Sequence, residues 1–155
     1  MLKLISEGTI EETFKVFCEV PELDAYLSLS EMINHLGETY LALVCEIYGE
    51  LVGFKLGYKK AEGVFYSWLG GVKPNYRKQG IAEKLLIRQE EWAKANGYKK
   101  IEVKSMNRYP AMLRLLIRHG YEIYNVTDAG DEEKERIHFR KVLNREYIIN
   151  VTTKP

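Results

Sequence analysis

The residues with the plainest chemical reading are Arg77-Lys78-Gln79-Gly80-Ile81-Ala82, a basic turn that runs directly into a helical pattern. The start of a helix leaves about four backbone N–H groups without intrahelical partners and carries roughly half a positive charge. A phosphate placed there accepts those hydrogen bonds. Gly80 and Ala82 carry little or no side chain, so an anion can come close to the backbone, and Arg77 and Lys78 add positive charge. The stretch reads as an anion cradle suited to a pyrophosphate. It also fits an ordinary strand–turn–helix with a glycine for the bend and two solvated cations. No G-x-x-x-x-G-K-[ST] follows any strand and no G-x-G-x-x-G opens a helix, so neither a nucleoside triphosphatase nor a dinucleotide site is supported.

The elements that position these residues are legible on both sides. Val64 to Val72 is rich in β-branched and aromatic residues and predicts a strand. Pro74 ends it, because proline lacks a ladder donor and restricts the residue before it. Ile81, Ala82, Leu85, Leu86, Trp92 and Ala93 have helical spacing, and Gly97 is the stop after Asn96. Gly70 and Gly71, adjacent in a strand, predict a bulge or a close ligand approach.

The run Val72 to Leu86, V-K-P-N-Y-R-K-Q-G-I-A-E-K-L-L, resembles the acyl-CoA-binding motif of the GCN5-related N-acetyltransferases, [RQ]-x-x-G-x-[GA] with a V-x-P lead-in and a leucine pair. Arg77, Gly80 and Ala82 fill its key positions. Met106-Asn107 and Arg118-His119-Gly120-Tyr121 resemble the family's later N…G-[FY] segment. The resemblance implies an α/β (α+β) fold: a mixed, mostly antiparallel sheet of six to seven strands with splayed central parallel strands and about four flanking helices. It implies an acetyl-CoA-dependent N-acetyltransferase that moves the acetyl group to a primary amine by direct attack in a ternary complex. Acetyl-CoA is then a co-substrate, and no metal is called for. Its pyrophosphate would rest on Lys78, Gln79, Gly80, Ile81 and Ala82 beside Arg77. Its pantetheine arm would pair with Gly70, Gly71 and Val72 as an added strand, and Asn107 would contact the arm. The Val72 N–H would hold the oxyanion, an interaction worth ~3 kcal/mol where it has been measured.

The acceptor is expected to be an amine on a small molecule or a peptide. Such an amine is mostly protonated at neutral pH and needs a base. Family members often carry a Glu on the Val64 strand, and none lies in Phe65 to Val72. Tyr66, counted onto one face with Trp68 and Gly70, is the candidate for the acceptor pocket, acting through water; Glu62 and Glu46 are further candidates. A core aromatic is the plainer reading of Tyr66. The family's thiolate-protonating Tyr falls at Leu116, and Tyr109 lies seven residues earlier, about 10 Å up the helix axis. These two departures keep a second reading open, a catalytically weak or inactive acyl-CoA-binding regulatory domain.

Composition sets the bounds. At 155 residues the chain is read as one domain, 1–155. It can bury about 68–70% of its unfolded surface. A net charge of +1 directs it to neither nucleic acid nor an anionic membrane. An RNA-binding reading of Arg77, Lys78 and the aromatic strands lacks an aromatic consensus. Cys18 and Cys45 stand alone, and His35, His119 and His138 fall on different elements, so no metal site is expected. The N-terminal MLKLISEGTI is too polar for a signal peptide and no apolar run reaches a membrane span; a cytoplasmic location is expected. A homodimer is left open.

Taken in order, Leu2 to Ile5 predicts a strand. Thr9 with Glu12, and Ser28 with Glu31, predict capping boxes for helices over 10–19 and 29–36. Acidic residues on this helical pair, Glu11, Glu12, Glu19, Glu22, Asp24 and Glu31, suit either a cationic amine or plain solvation. Strands follow at Tyr40–Ile47 and Leu51–Tyr58, and after the cradle helix at Tyr98–Ser105. A helix is predicted over Pro110–Arg118, then strands at Tyr121–Val126 and Arg136–Leu143 around an acidic loop. Residues 144–155 form an edge strand or a frayed tail.

Overall fold

The computed structural model describes residues 3–128, 130 and 135–143. The expectations for Leu2, for most of the acidic loop and for the 144–155 tail lie outside the described residues. Seven strands form one mixed sheet: β1 (Lys3–Glu7), β2 (Tyr40–Ile47), β3 (Glu50–Ala61), β4 (Val64–Val72), β5 (Lys100–Ser105), β6 (Glu122–Thr127) and β7 (Arg136–Val142), in the order β1-β2-β3-β4-β5-β7-β6. Four α-helices accompany it: α1 (Ile10–Phe17), α2 (Leu29–Leu36), α3 (Ile81–Ala95) and α4 (Pro110–Arg118).

The local signals work as the physics requires. The Thr9 hydroxyl accepts from the Glu12 N–H at 3.0 Å and the Glu12 carboxylate accepts from the Thr9 N–H at 2.9 Å. The Ser28–Glu31 box closes the same way on α2. Tyr48 and Gly49 both have positive φ, 50° and 81°, the twist that joins two antiparallel strands in a two-residue turn. Gly97 (φ 84°) and Gly120 (φ 85°) stop α3 and α4; in each case the next residue's N–H reaches back to a carbonyl of the last turn, Ala93 or Leu116. β3 runs three residues past the expected Tyr58, because the turn into β4 is only Glu62–Gly63, with Gly63 at φ 75°. Two short 3₁₀ turns, Pro21–Leu23 and Pro74–Tyr76, were not foreseen; each has a proline at its start.

The residues fall into two compact units. The first comprises residues 1–59 and 67–92. Here β1 pairs antiparallel with β2, Ile5 opposite Cys45, and β2 pairs antiparallel with β3, Val44 opposite Phe54. Its core on the α1–α2 side gathers Val16, Phe17, Val20, Met32, Leu36, Phe54, Leu56 and Leu69. The second comprises residues 60–66 and the described residues from 93 onward. There β7 pairs antiparallel with both β5 and β6, Val103 and Ile123 each facing Phe139. Ile101, Phe139, Leu115 and Leu116 are buried in it. Among the described residues no helix is long and apolar enough to cross a membrane.

Candidate functional site

The cradle lies in the first unit. Lys78 takes φ 61° and Gly80 φ 79°, so the chain turns through the left-handed region twice before α3 begins. The Gly80 carbonyl accepts from the Lys84 N–H at 3.1 Å, which makes Gly80 the residue that opens the helix. A Cβ at Gly80 would meet nothing within 4 Å, so the approach to the first-turn amides is open. Ala82 is exposed and Ile81 is buried, its side chain turned inward while its amide belongs to the mouth. Lys3 donates to the Gln79 carbonyl at 2.6 Å, a cation that the sequence did not assign to this corner.

Arg77 has another occupation. Its two terminal nitrogens donate to both oxygens of Glu22, at 2.6 and 2.8 Å, and its Nε donates to the Val72 carbonyl at 3.1 Å. The guanidinium thus ties the 3₁₀ turn after α1 and the end of β4 to the cradle, and Arg77 holds the Glu22 carboxyl below its ordinary range. Glu19 pairs with Lys73 at 2.6 Å. With Glu12 and Glu31 engaged as caps, four of the six acidic residues on the first helical pair have local partners, which weakens their reading as a lure for a cationic amine.

The strand leading to the cradle breaks its alternation. Trp68 and Leu69 both belong to the α1–α2 side: Leu69 is in that core, Trp68 packs against it, and the His35 ring of α2 stacks on Trp68 at 4.1 Å. A Cβ on Gly71 would strike Val20 of the same core at 2.9 Å. A Cβ on Gly70 would instead meet Lys55, on the other side. Residues 68, 69 and 71 therefore face one way and 70 alone faces the other, the pattern of a β-bulge. This corrects the count that put Tyr66, Trp68 and Gly70 on one face, since one extra residue reverses everything beyond it. It also separates the glycines: Gly71 lacks a side chain because Val20 fills the space, whereas Gly70 leaves room for Lys55.

On the α3 side of β3, Gly53 faces Ile81 and Leu85, and Lys55 lies two residues on. Lys55 is 7% exposed, and burial lowers its pKa to about 8, with Glu90 of α3 opposing the shift. Gln89 is fully buried and neither of its amide atoms has a hydrogen-bond partner among the described residues. Sequence reading passed over Lys55; its one signal was a lysine at an alternating position inside an apolar strand, between Phe54 and Leu56.

In the second unit, Tyr66 is half-buried between two ammonium groups, Lys60 and Lys104, each 5.9 Å from its ring centre. Lys60 and Lys100 bond to the buried Glu102; burial pushes the Glu102 pKa up, but these two bonds outweigh it and the net shift is downward. His138 contacts the Thr127 hydroxyl, and burial followed by the nearby Lys104 and Lys60 pushes its pKa down. Asn107 is exposed in the turn that the Tyr109 N–H closes onto the Met106 carbonyl. Leu116 is 1% exposed, a core residue. Glu46 lies in the β1–β2 ladder opposite Leu4, and Glu62 in the β3–β4 turn. No group of three or more metal-ligating side chains occurs among the described residues.

A helix start left open at Gly80, preceded by a bulged strand in a mixed seven-stranded sheet, belongs to an α/β fold. Residues 9–121 match the acetyltransferase (GNAT) family, and the chain belongs to that family. Solved structures that share its fold include Ard1 from Thermoplasma volcanium (14% identity, TM-score 0.80, 92% of this chain and 98% of that one), the ribosomal-protein-S18-alanine N-acetyltransferase from Escherichia coli (14%, 0.78, 92% and 94%), and the PaiA N-acetyltransferase from Thermoplasma acidophilum, in complex with coenzyme A (16%, 0.75, 92% and 99%).

Proposed function

We propose that the protein transfers an acetyl group from acetyl-CoA to a primary amine, and that the cofactor's diphosphate binds at the mouth of α3. The observation that carries this reading is the open approach at Gly80 to the first-turn amides, with Lys3 bonded to the neighbouring Gln79 carbonyl and Lys78 and Arg77 in the turn that leads to it. A diphosphate there accepts the amide hydrogens of Gln79 to Ala82, and the helix dipole favours its charge. The arm then follows the bulged edge at Gly70, Gly71 and Val72, where a bulge leaves backbone groups without ladder partners. Tyr66 and Asn107, in the second unit, are assigned to the acceptor and to the arm respectively. The solved neighbour with coenzyme A supports the class of cofactor, and the family supports acyl transfer.

The alternative reading, binding without turnover, draws support from Leu116, whose buried side chain has no proton to give. Release of the CoA thiol with a panel of primary amines distinguishes the two. The cofactor site is tested by Ala82→Asp. A carboxylate in the first turn suits the helix, so the fold is kept, but it faces the diphosphate with like charge. The wild type should be stabilised by about 2.7 kcal/mol at acetyl-CoA a hundred times its Kd. The variant should show no such shift at the same concentration. An equal shift in both would remove the diphosphate from α3.

A further inference from the structure

We propose that Lys55 is the acid that gives a proton to the coenzyme A sulfur as the thiolate leaves the acyl group. The proposal rests on the acetyl-CoA reading above and adds to it a residue that the family motif does not contain.

Lys55 is a buried cation, and its ammonium makes none of the hydrogen bonds or ion pairs found among the described residues. Burying a charge without a close partner is costly, so proteins rarely retain one without a use for it. Its position gives the use. A Cβ on Gly70 would lie 3.5 Å from both Lys55 Cγ and Lys55 Nζ, so the chain of Lys55 crosses from β3 over the backbone of Gly70. Gly70 is the one residue of the bulge that faces the α3 side, the side on which the cradle helix packs, as Ile81 and Leu85 against Gly53 show. An arm that starts at the α3 mouth and follows the Gly70–Val72 edge therefore brings its terminal sulfur toward this ammonium. The charged and titratable group facing Lys55 from α3 is Glu90, which favours the protonated form. The opposite residue on β2 is Leu43, which contributes no charge.

The step balances. The amine nitrogen attacks the thioester carbonyl, forms the C–N bond and loses a proton to solvent. Collapse of the tetrahedral centre breaks the C–S bond and leaves the electron pair on sulfur. Lys55 transfers one ammonium proton to that sulfur, and its neutral amine takes a proton from solvent before the next turnover. A lysine near pKa 8 is matched to a thiol near 8.5, the condition under which an acid both gives and recovers its proton readily.

The test follows the thiolate absorbance of bound coenzyme A with pH, in the wild type, Lys55→Met and Lys55→Arg, with dethio-coenzyme A as the binding control. In the wild type and Lys55→Arg the bound thiol should ionise at a pH at least one unit below that in Lys55→Met. All three should bind dethio-coenzyme A within about twofold. Turnover should fall at least tenfold in both variants, because Arg keeps the charge but does not release a proton. Lysine ε-carbon NMR of the wild type needs no variant: the Lys55 titration should move on adding coenzyme A and stay in place with dethio-coenzyme A. Identical thiol titrations in wild type and Lys55→Met, with coenzyme A bound to both, would overturn the role of Lys55 and leave the cofactor site standing. Failure of the wild type to bind either compound would remove the cofactor site, and this proposal with it.

Discussion

Lys55 carries an energetic signature as well as a chemical one. Its pKa of about 8, against 10.5 for the free side chain, means that the unfolded chain binds more protons than the folded one between those values. Stability should therefore rise with pH through that window, and the full cost of the buried charge applies below it. Lys55→Met should raise stability at pH 7 by between about 1 and 3 kcal/mol, since one pKa unit is 1.36 kcal/mol and Glu90 loses a compensating charge. The gain should shrink toward zero above pH 10.5. Urea unfolding at pH 7 and 10.5 measures both; a less stable variant at pH 7 would show that the ammonium is held by interactions strong enough to repay its burial. Glu22 has the opposite sign. Its lowered pKa makes the contact with Arg77 a contribution present at neutral pH and lost as pH falls below the ordinary carboxylate range. The pair is well exposed, so that contribution is small. Neither role was readable from residue types. A lysine in a strand and an arginine in a motif look alike whether or not burial or a carboxylate 55 positions away awaits them.

At the level of elements, the bulge in β4 is the feature most open to experiment. Gly71→Ala drives a methyl group into Val20, whose Cγ atoms would stand 2.9 and 3.1 Å from it. Overpacking of this kind costs about 1–3 kcal/mol. Val20→Ala alone leaves a small cavity, but it also clears the space that the new methyl needs. The double variant should be less destabilised than the sum of the two singles by at least about 1 kcal/mol, measured by thermal unfolding. Additive effects would place Gly71 away from Val20. Local chemistry specified most of the elements: both capping boxes, the glycine stops of α3 and α4 and the full extent of β2 and β4 were set by nearest neighbours. The bulge escaped, because it is a break in the side-chain alternation by which strands are read. Two glycines have no side chains to reveal which way they point.

On the scale of the whole molecule, the family match runs from residue 9 to 121 and so draws on both compact units. β4 and α3 each contain residues of both units, Val64 to Tyr66 and Ser67 to Val72 in the strand, Ile81 to Trp92 and Ala93 to Ala95 in the helix. We propose that the chain folds as one domain, since neither unit has an intact set of elements without the other. Thermal unfolding followed by near- and far-ultraviolet circular dichroism should give a single coincident transition. Two separated transitions would make the units independent. What residue order alone settled was the succession of helices and strands, their caps and the basic turn that opens α3, because each depends on groups a few positions apart. What the folded chain added was direction and company: which side of β4 each glycine faces, that Arg77 is bound to Glu22, and that Lys55 is buried over Gly70. These depend on the packing of segments distant in sequence, and burial of a charge exists only once such segments have closed around it.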